Sequence, residues 1–193
     1  MPLTISRSVE QVVEPIDLSD VKVHIKVSGT TDDDIIYNIM LQVRDYIETV
    51  LNRQLNTATL IYAIDEFPTK TIFNIPRPPL QSITSIIYSN TDNVLTTLAT
   101  TEYGTDTLSE PGRVYLLPDK AWPSTYNIPN AVKITYQAGY ASAAAVPRRI
   151  KLLMLLMIAD LYKYRGAISI EDFIDSLPYL KSLLWSARNI EIY

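Results

Sequence analysis

Few side chains in this 193-residue chain could perform catalysis. It contains one histidine, His24, and no cysteine. A Ser-His-Asp relay, a two-histidine metal site or a histidine acid/base pair would each need His24, and no acidic or nucleophilic motif surrounds it. The lack of cysteine excludes disulfides, zinc–thiolate sites and cysteine nucleophiles. His24 is therefore expected to have a structural or surface role.

Asp32, Asp33 and Asp34 are consecutive carboxylates that could in principle ligate calcium or magnesium. No glycine at the loop position and no downstream glutamate completes a calcium loop. The three residues instead precede an amphipathic pattern, where the dipole of a helix favours negative charge. GxSxG, P-loop and GxGxxG motifs are also missing from the sequence. We predict no catalytic, cofactor-binding or metal-binding residues.

Arg148, Arg149 and Lys151 form a basic group at the predicted start of a helix. Cations at this end oppose the helix dipole, so the group has either of two interpretations. It is a solvated turn, or it pairs with acidic groups on another subunit or with DNA in a channel. The formal net charge of −4 argues against a protein whose main task is to hold nucleic acid phosphates.

Helical periodicity occurs in both the first and the last third of the chain. A short helix is predicted after Asp17, and a long amphipathic helix from Thr31, its candidate N-cap, to Leu51. The run from Ile150 to Leu161 is apolar on nearly every side, which predicts a central helix covered by the chain and by a neighbouring subunit. About a dozen residues are too few to span a membrane, which takes about 20. No membrane anchor or targeting segment is expected.

Between these helices the apolar period changes from about 3.6 to about 2 residues. Short alternating runs separated by turn signals are typical of a small antiparallel sandwich or barrel. We therefore predict an α+β fold, in which a helical core carries an inserted β module. The predicted segments are an N-terminal arm (1–16), the first part of the helical core (17–55), the β module (56–140) and the second part of the core with a C-terminal tail (141–193).

Four stretches carry a resemblance to a known family. They are EPIDLSDVKVHIKV, DDDIIYNIMLQVRDYIETVLNRQL, IPRPPLQSITSIIY, and AVKITYQAGY followed by AAAVPRRIKLLMLLMIADLYKYR. In order and spacing the chain resembles the head–tail connector proteins (adaptor or head-completion proteins) of long-tailed bacteriophages, from roughly Pro15 to Arg188. PRPPLQSITSI and the segment from AGY into the last helix are the most specific parts.

The resemblance implies a structural virion protein without catalysis or cofactor. It implies a homo-oligomeric ring, expected to be a dodecamer in the virion, which docks beneath the portal protein and meets the next stopper or tail protein. DNA would pass through the lumen without sequence-specific binding. Such a protein is made in the host cytoplasm and resides at the head–tail junction. The alternative is a tail-associated β-module accessory protein that binds a ligand or glycan, with exposed aromatic residues clustered on the β loops.

The C-terminal tail from residue 178 to residue 193 is the predicted portal-docking element. It carries more apolar bulk than a fraying chain end usually does, and its last residues alternate around Glu191 like a strand that could join a partner's sheet. The tail could instead close the core of its own subunit. The candidate subunit or portal interface residues are Arg148, Arg149, Lys151, Tyr179, Leu183, Trp185, Arg188, Ile190, Ile192 and Tyr193.

Overall fold

A computed structural model describes residues 4–10 and 13–164 of the chain. These residues form two compact units, a helical unit (13–55 and 142–164) and a β unit (4–10 and 56–141). The helices are α1 (Leu18–Ile25), α2 (Asp33–Leu51) and α3 (Arg148–Tyr164). The strands are β1 (Thr4–Glu10), β2 (Ala58–Ile64), β3 (Ile72–Asn74), β4 (Leu80–Ser89), β5 (Leu95–Thr97), β6 (Tyr103–Asp106), β7 (Arg113–Leu116) and β8 (Val132–Ala138). Helices combined with antiparallel sheets confirm the predicted α+β class.

The amphipathic pattern of α2 produces one buried stripe along the helix. Asp32 is the N-cap residue, one position later than the predicted Thr31, and the acidic residues that follow it complement the helix dipole. The helix ends where Asn52 adopts the left-handed conformation (φ 51°), which asparagine tolerates better than most residues. The buried apolar residues of the stripe are Ile36, Met40, Val43, Ile47 and Leu51.

The α3 helix packs against both α1 and α2 and supplies much of the helical core. The Tyr162 hydroxyl donates a hydrogen bond to the Asp32 carboxylate, which ties the end of α3 to the start of α2. One side of α3 stays open within the subunit, because Leu152 is 51% exposed. The buried residues of α3 are Ile150, Leu153, Met154, Met157, Ile158 and Leu161.

The β unit contains a five-stranded sheet in the order β1-β2-β8-β4-β5 and a three-stranded sheet in the order β3-β7-β6. Every strand pair is antiparallel. Residues 4–10, predicted from the sequence to belong to an arm, form the edge strand β1 against β2. The chain therefore contributes a strand to this sheet before the helices as well as after them.

The two sheets share one hydrophobic core. Leu60, Ile86 and Ile134 come from the five-stranded sheet, and Tyr103 and Val114 come from the three-stranded sheet. Residues alternate sharply along the central strand β8, where every second side chain is buried. The arrangement is the sandwich-like packing that the alternating runs predict.

Gly139, in the AGY segment, directly follows β8 and lies close to the main chain of Asn56 and Thr57. Its N–H donates to the Pro79 carbonyl (2.9 Å), and its carbonyl accepts from the Gln81 side-chain amide (2.7 Å). Its φ of +107° favours glycine, and an added Cβ would lie 2.0 Å from the Asn56 carbonyl oxygen. Only glycine fits this close approach of two chain segments.

Candidate assembly surfaces

His24 and Asp33, which were considered above for catalysis or metal binding, lie at the surface and in an ion pair, respectively. His24 is exposed in the last turn of α1. Asp33 forms an ion pair with Lys22, whose Nζ lies 2.5 Å from its carboxylate. Among residues 4–10 and 13–164, no group of three or more His, Cys, Asp or Glu side chains could hold a metal ion.

Two buried charged side chains of α2, Arg44 and Glu48, hold neighbouring loop segments against the helix. Arg44 is buried and donates to the Glu14 carboxylate, which anchors the segment before α1. Glu48 is also buried, and its carboxylate accepts from the Gln54 side-chain amide and from the Leu55 N–H, both at 2.8 Å. These contacts hold the exit of α2 and have an architectural role.

The basic group lies at the start of α3. Arg148 and Arg149 are exposed there, and Lys151 is half-buried. The first turn of the helix has no acidic residue, and the three cations make no ion pair with any residue that the structure describes.

The β6–β7 loop, residues 107–112, presents an apolar side chain that sequence reasoning did not single out. Leu108 is 96% exposed at this loop. The Asp106 carboxylate accepts from the N–H groups of Leu108 (3.0 Å) and Ser109 (3.1 Å) and from the Ser109 hydroxyl (2.7 Å). It also accepts from Arg113 Nε (3.0 Å) and a terminal guanidinium nitrogen (2.6 Å).

These hydrogen bonds stabilise the ionised carboxylate. Those from Ser109, followed by those from Arg113, hold the pKa of the Asp106 carboxyl well below its usual range. The loop is thus organised around a charged acceptor that stays ionised across the physiological pH range. The signal in the sequence is only the turn-forming run TLSEPG, which does not show that a leucine will be exposed.

The outer groove is a concave surface of about 550 Å³ on the face of the five-stranded sheet that points away from the core. Lys133 is the only charged side chain among the described residues that line it. Leu95 is 70% exposed at the β5 side. The other lining residues are Ser6, Ile61, Ala63, Ile87, Ser89, Asn93, Ile128, Pro129, Asn130 and Ala131.

The main aromatic cluster of the β unit is packed against itself. Trp122 stacks on Phe67 with ring centroids 5.1 Å apart and contacts Phe73 at 5.5 Å. The Trp122 indole N–H donates to the Lys70 carbonyl at 2.9 Å. Much of the aromatic surface is therefore used by the subunit's own packing.

The remaining interface candidates lie outside the described residues. Their expected role in docking stays a prediction. In the part of the chain that the structure describes, no helix has the length and apolar character needed to cross a membrane. The tail candidates are Tyr179, Leu183, Trp185, Arg188, Ile190, Ile192 and Tyr193.

Comparison with known proteins supplies independent findings. A family model described as "Head completion protein" matches residues 14–168. None of the curated proteins matches the chain.

Solved structures share the fold of this chain at low sequence identity. One is a chain of the "Neck of empty GTA particle computed with C6 symmetry", with a TM-score of 0.78 at 16% identity, covering 98% of this chain and 97% of that chain. A chain of the "Virion of native gene transfer agent (GTA) particle" has a TM-score of 0.74 at 17% identity, with the same coverage. A chain of the "Neck of native GTA particle computed with C12 symmetry" has a TM-score of 0.72 at 18% identity, covering 100% and 98%.

Proposed function

Because the chain belongs to the head completion protein family, we propose that it is a structural connector ring at the head–tail junction of a phage-like particle. The observation that carries this proposal is the family match, which includes both the helical unit and residues 56–141 of the β unit. Similarly folded chains occur in particle necks analysed with C6 and with C12 symmetry, which supports a ring, and the C12 symmetry supports a dodecamer. The ring forms from subunits made in the host cytoplasm and stays in the virion.

The exposed side of α3 is the proposed contact between subunits of the ring. In that contact the exposed Leu152 side chain would become buried, while the buried residues of α3 keep each subunit folded. Arg148 and Arg149 add charge to the start of the same helix and meet acidic groups of the neighbour or the DNA that passes. Many weak contacts of this kind are stabilised together when symmetry closes the ring.

The lumen is proposed to pass DNA without sequence-specific binding. A formal net charge of −4 limits attraction to phosphates, so the DNA can slide. The tail, residues 178–193, is proposed to bind the portal protein, and the opposite end of the ring would meet a stopper or tail protein. The role is structural and needs no catalytic group or cofactor.

Ring assembly can be tested with a charged side chain on the open side of α3. Leu152→Asp should leave the melting temperature of the isolated subunit nearly unchanged, because the position is half open to water. It should prevent rings from forming with the portal, as seen by electron microscopy and native mass spectrometry. Gln42→Asp, which adds the same charge at an exposed position of α2, is the matched control and should assemble normally. Normal rings from Leu152→Asp would contradict the proposed contact.

Portal binding can be tested by deleting residues 189–193. A folded subunit that no longer binds its portal would support docking through the tail. Unfolding of the truncated chain, or unchanged binding, would refute it.

The rival glycan-binding role is less well supported by the described residues. It predicts a cluster of exposed aromatic rings on the β loops. Tyr126 is 42% exposed between β7 and β8, but Trp122 in the same segment stacks on Phe67 and uses its N–H within the subunit. A glycan array is the direct comparison. Specific glycan binding by a chain that forms no ring would reverse the preference.

A further inference from the structure

We propose that the open side of α3 in one subunit packs against the α1–α2 corner, residues 17–34, of a second copy of this chain. In this contact Arg148 would meet Asp20 of the second copy, and Leu152 would cover its Val23. The inference rests on the proposed ring and names the surface of the neighbour that α3 contacts. Both surfaces belong to the helical unit.

The helix α3 carries a second apolar stripe on the side opposite its buried one. The members of this stripe are spaced i, i+3, i+4 and i+7, so they share one face of the helix. Leu152 is 51% exposed, and the other three are half-buried. One exposed leucine means little, whereas a stripe at helical spacing is how a helix presents a face to another element. The stripe consists of Leu152, Leu155, Leu156 and Ala159.

The two proposed surfaces carry opposite charge beside an apolar side chain. Arg148 is exposed four residues before Leu152, so the two are neighbours on one face of α3. Residues 17–34 contain five aspartates and two lysines. Asp20 and Val23 are exposed in α1 three residues apart, which also makes them neighbours on one face. A cation beside an apolar side chain thus matches an anion beside an apolar side chain.

Within one subunit these charges lie at different ends of α3. The Tyr162 hydroxyl donates to the Asp32 carboxylate, so the α1–α2 corner lies near the end of this helix. Arg148 lies at its start, about 21 Å from Tyr162 along the axis at the standard helical rise. Exposed charges separated by more than about 8 Å are largely screened at physiological salt. A second copy can bring the complementary surfaces into contact, and this is why we choose it as the partner.

The positions of the two surfaces make the contact head-to-tail. Each subunit would use its α3 surface towards one neighbour and its α1–α2 corner towards the other. A heterologous contact of this kind gives a closed ring when its rotation closes. Charge complementarity at the contact fixes the orientation of the two copies, because the reversed arrangement would place like charges together.

Charge reversal tests the pairing in rings assembled with the portal and without DNA. Arg148→Glu should lower the yield of rings at least about tenfold, because it places two carboxylates at the contact, and Asp20→Lys should do the same with two cations. A chain that carries both substitutions has an opposite pair at every contact and should form rings again. Both positions are exposed, so the melting temperature should stay near that of the unsubstituted chain. The matched control is Asp92→Lys, a charge reversal at an exposed position of the β unit, which should assemble normally.

Disulfide trapping tests the apolar half of the contact, because the chain has no cysteine of its own. Leu152→Cys and Val23→Cys subunits are purified separately, mixed at high concentration and oxidised. The expected product is a covalent dimer. The matched control replaces Val23→Cys with Val94→Cys, a cysteine at an exposed apolar position of the β unit.

The mass of the unsubstituted chain, alone and with its portal, separates this inference from the proposed function. Rings that tolerate either reversal, or trapping at the control level, would overturn the contact and leave the connector role intact. Loss of rings in Arg148→Glu without repair by Asp20→Lys would overturn Asp20 as the partner. A chain that stays monomeric with its portal would overturn both the contact and the connector ring. Repair by the second substitution together with trapping well above the control supports the contact.

Discussion

Gly139→Ala tests whether the crossing at the end of β8 is as tight as the structure shows. The added methyl group would lie 2.0 Å from the Asn56 carbonyl oxygen and 2.9 Å from the Thr57 nitrogen, both of which are main-chain atoms. Neither atom can rotate away as a side chain would. In addition, alanine would have to adopt the backbone φ of +107° found at Gly139, which is unfavourable for any residue with a Cβ.

The size of the effect follows from two separable costs. A left-handed conformation costs a non-glycine residue about 1–2 kcal/mol, and forcing atoms into a packed region costs about 1–3 kcal/mol more. We therefore expect Gly139→Ala to lose about 2–5 kcal/mol of unfolding free energy, or to prevent folding. Gly29→Ala isolates the first cost, because Gly29 has a φ of +83° and a Cβ added there would have no neighbour within 4 Å. Urea unfolding followed by circular dichroism measures both variants, and equal losses within about 0.5 kcal/mol would refute the clash.

Three further predictions concern buried and charged hydrogen bonds. Tyr136→Phe should cost about 1–2 kcal/mol in urea unfolding, because the buried hydroxyl donates to the Pro76 carbonyl at 3.0 Å, and an unchanged midpoint would contradict that bond. Glu48→Ala should cost about 3 kcal/mol by leaving the donors of Gln54 and Leu55 buried without this acceptor, whereas the exposed Thr49→Ala should stay within about 0.5 kcal/mol. Asp106, whose folded pKa is depressed, stabilises the native state above about pH 4 and loses this contribution as the pH falls towards its folded pKa. The melting-temperature advantage of the wild type over Asp106→Asn should therefore shrink from pH 7 to pH 3, and a constant difference would exclude this linkage.

Strong local periodicity explains which parts of the fold can be predicted from the sequence. The long helix is predictable because apolar residues such as Ile36, Met40 and Val43 recur at helical spacing, and all three are buried on one stripe. Its predicted start is wrong by one residue because Thr31 and Asp32 are both acceptable N-cap types. Which of the two residues becomes the N-cap depends on backbone geometry that the sequence does not reveal.

Long-range pairing explains what the sequence could not reveal. The short strand β6 reads YGTD and has no run of alternating apolar residues, so only its pairing with β7 defines it. The segment that forms β1 resembles an arm in the sequence because nothing local indicates its partner β2. The outer groove has the same origin, since Ile61, Ile87 and Leu95 come from three strands and meet only after the sheet forms.

The structure shows that the nearly uniform apolar sequence of α3 does not correspond to burial on every side of the helix. An apolar circumference suggests burial on every side, yet Met157 is completely buried while Leu152 is half open. Single exposed apolar side chains also occur on monomeric proteins, so Leu152 alone does not indicate an assembly, but in the proposed ring a neighbouring subunit would remove it from water. Leu108 repeats the pattern in the β unit, on a loop fixed by Asp106. Each unit thus has an ordered element that holds an apolar side chain in solvent. In the proposed ring, weak individual contacts would be sufficient because symmetry repeats them, and the subunits would stay separate until a template brings them together.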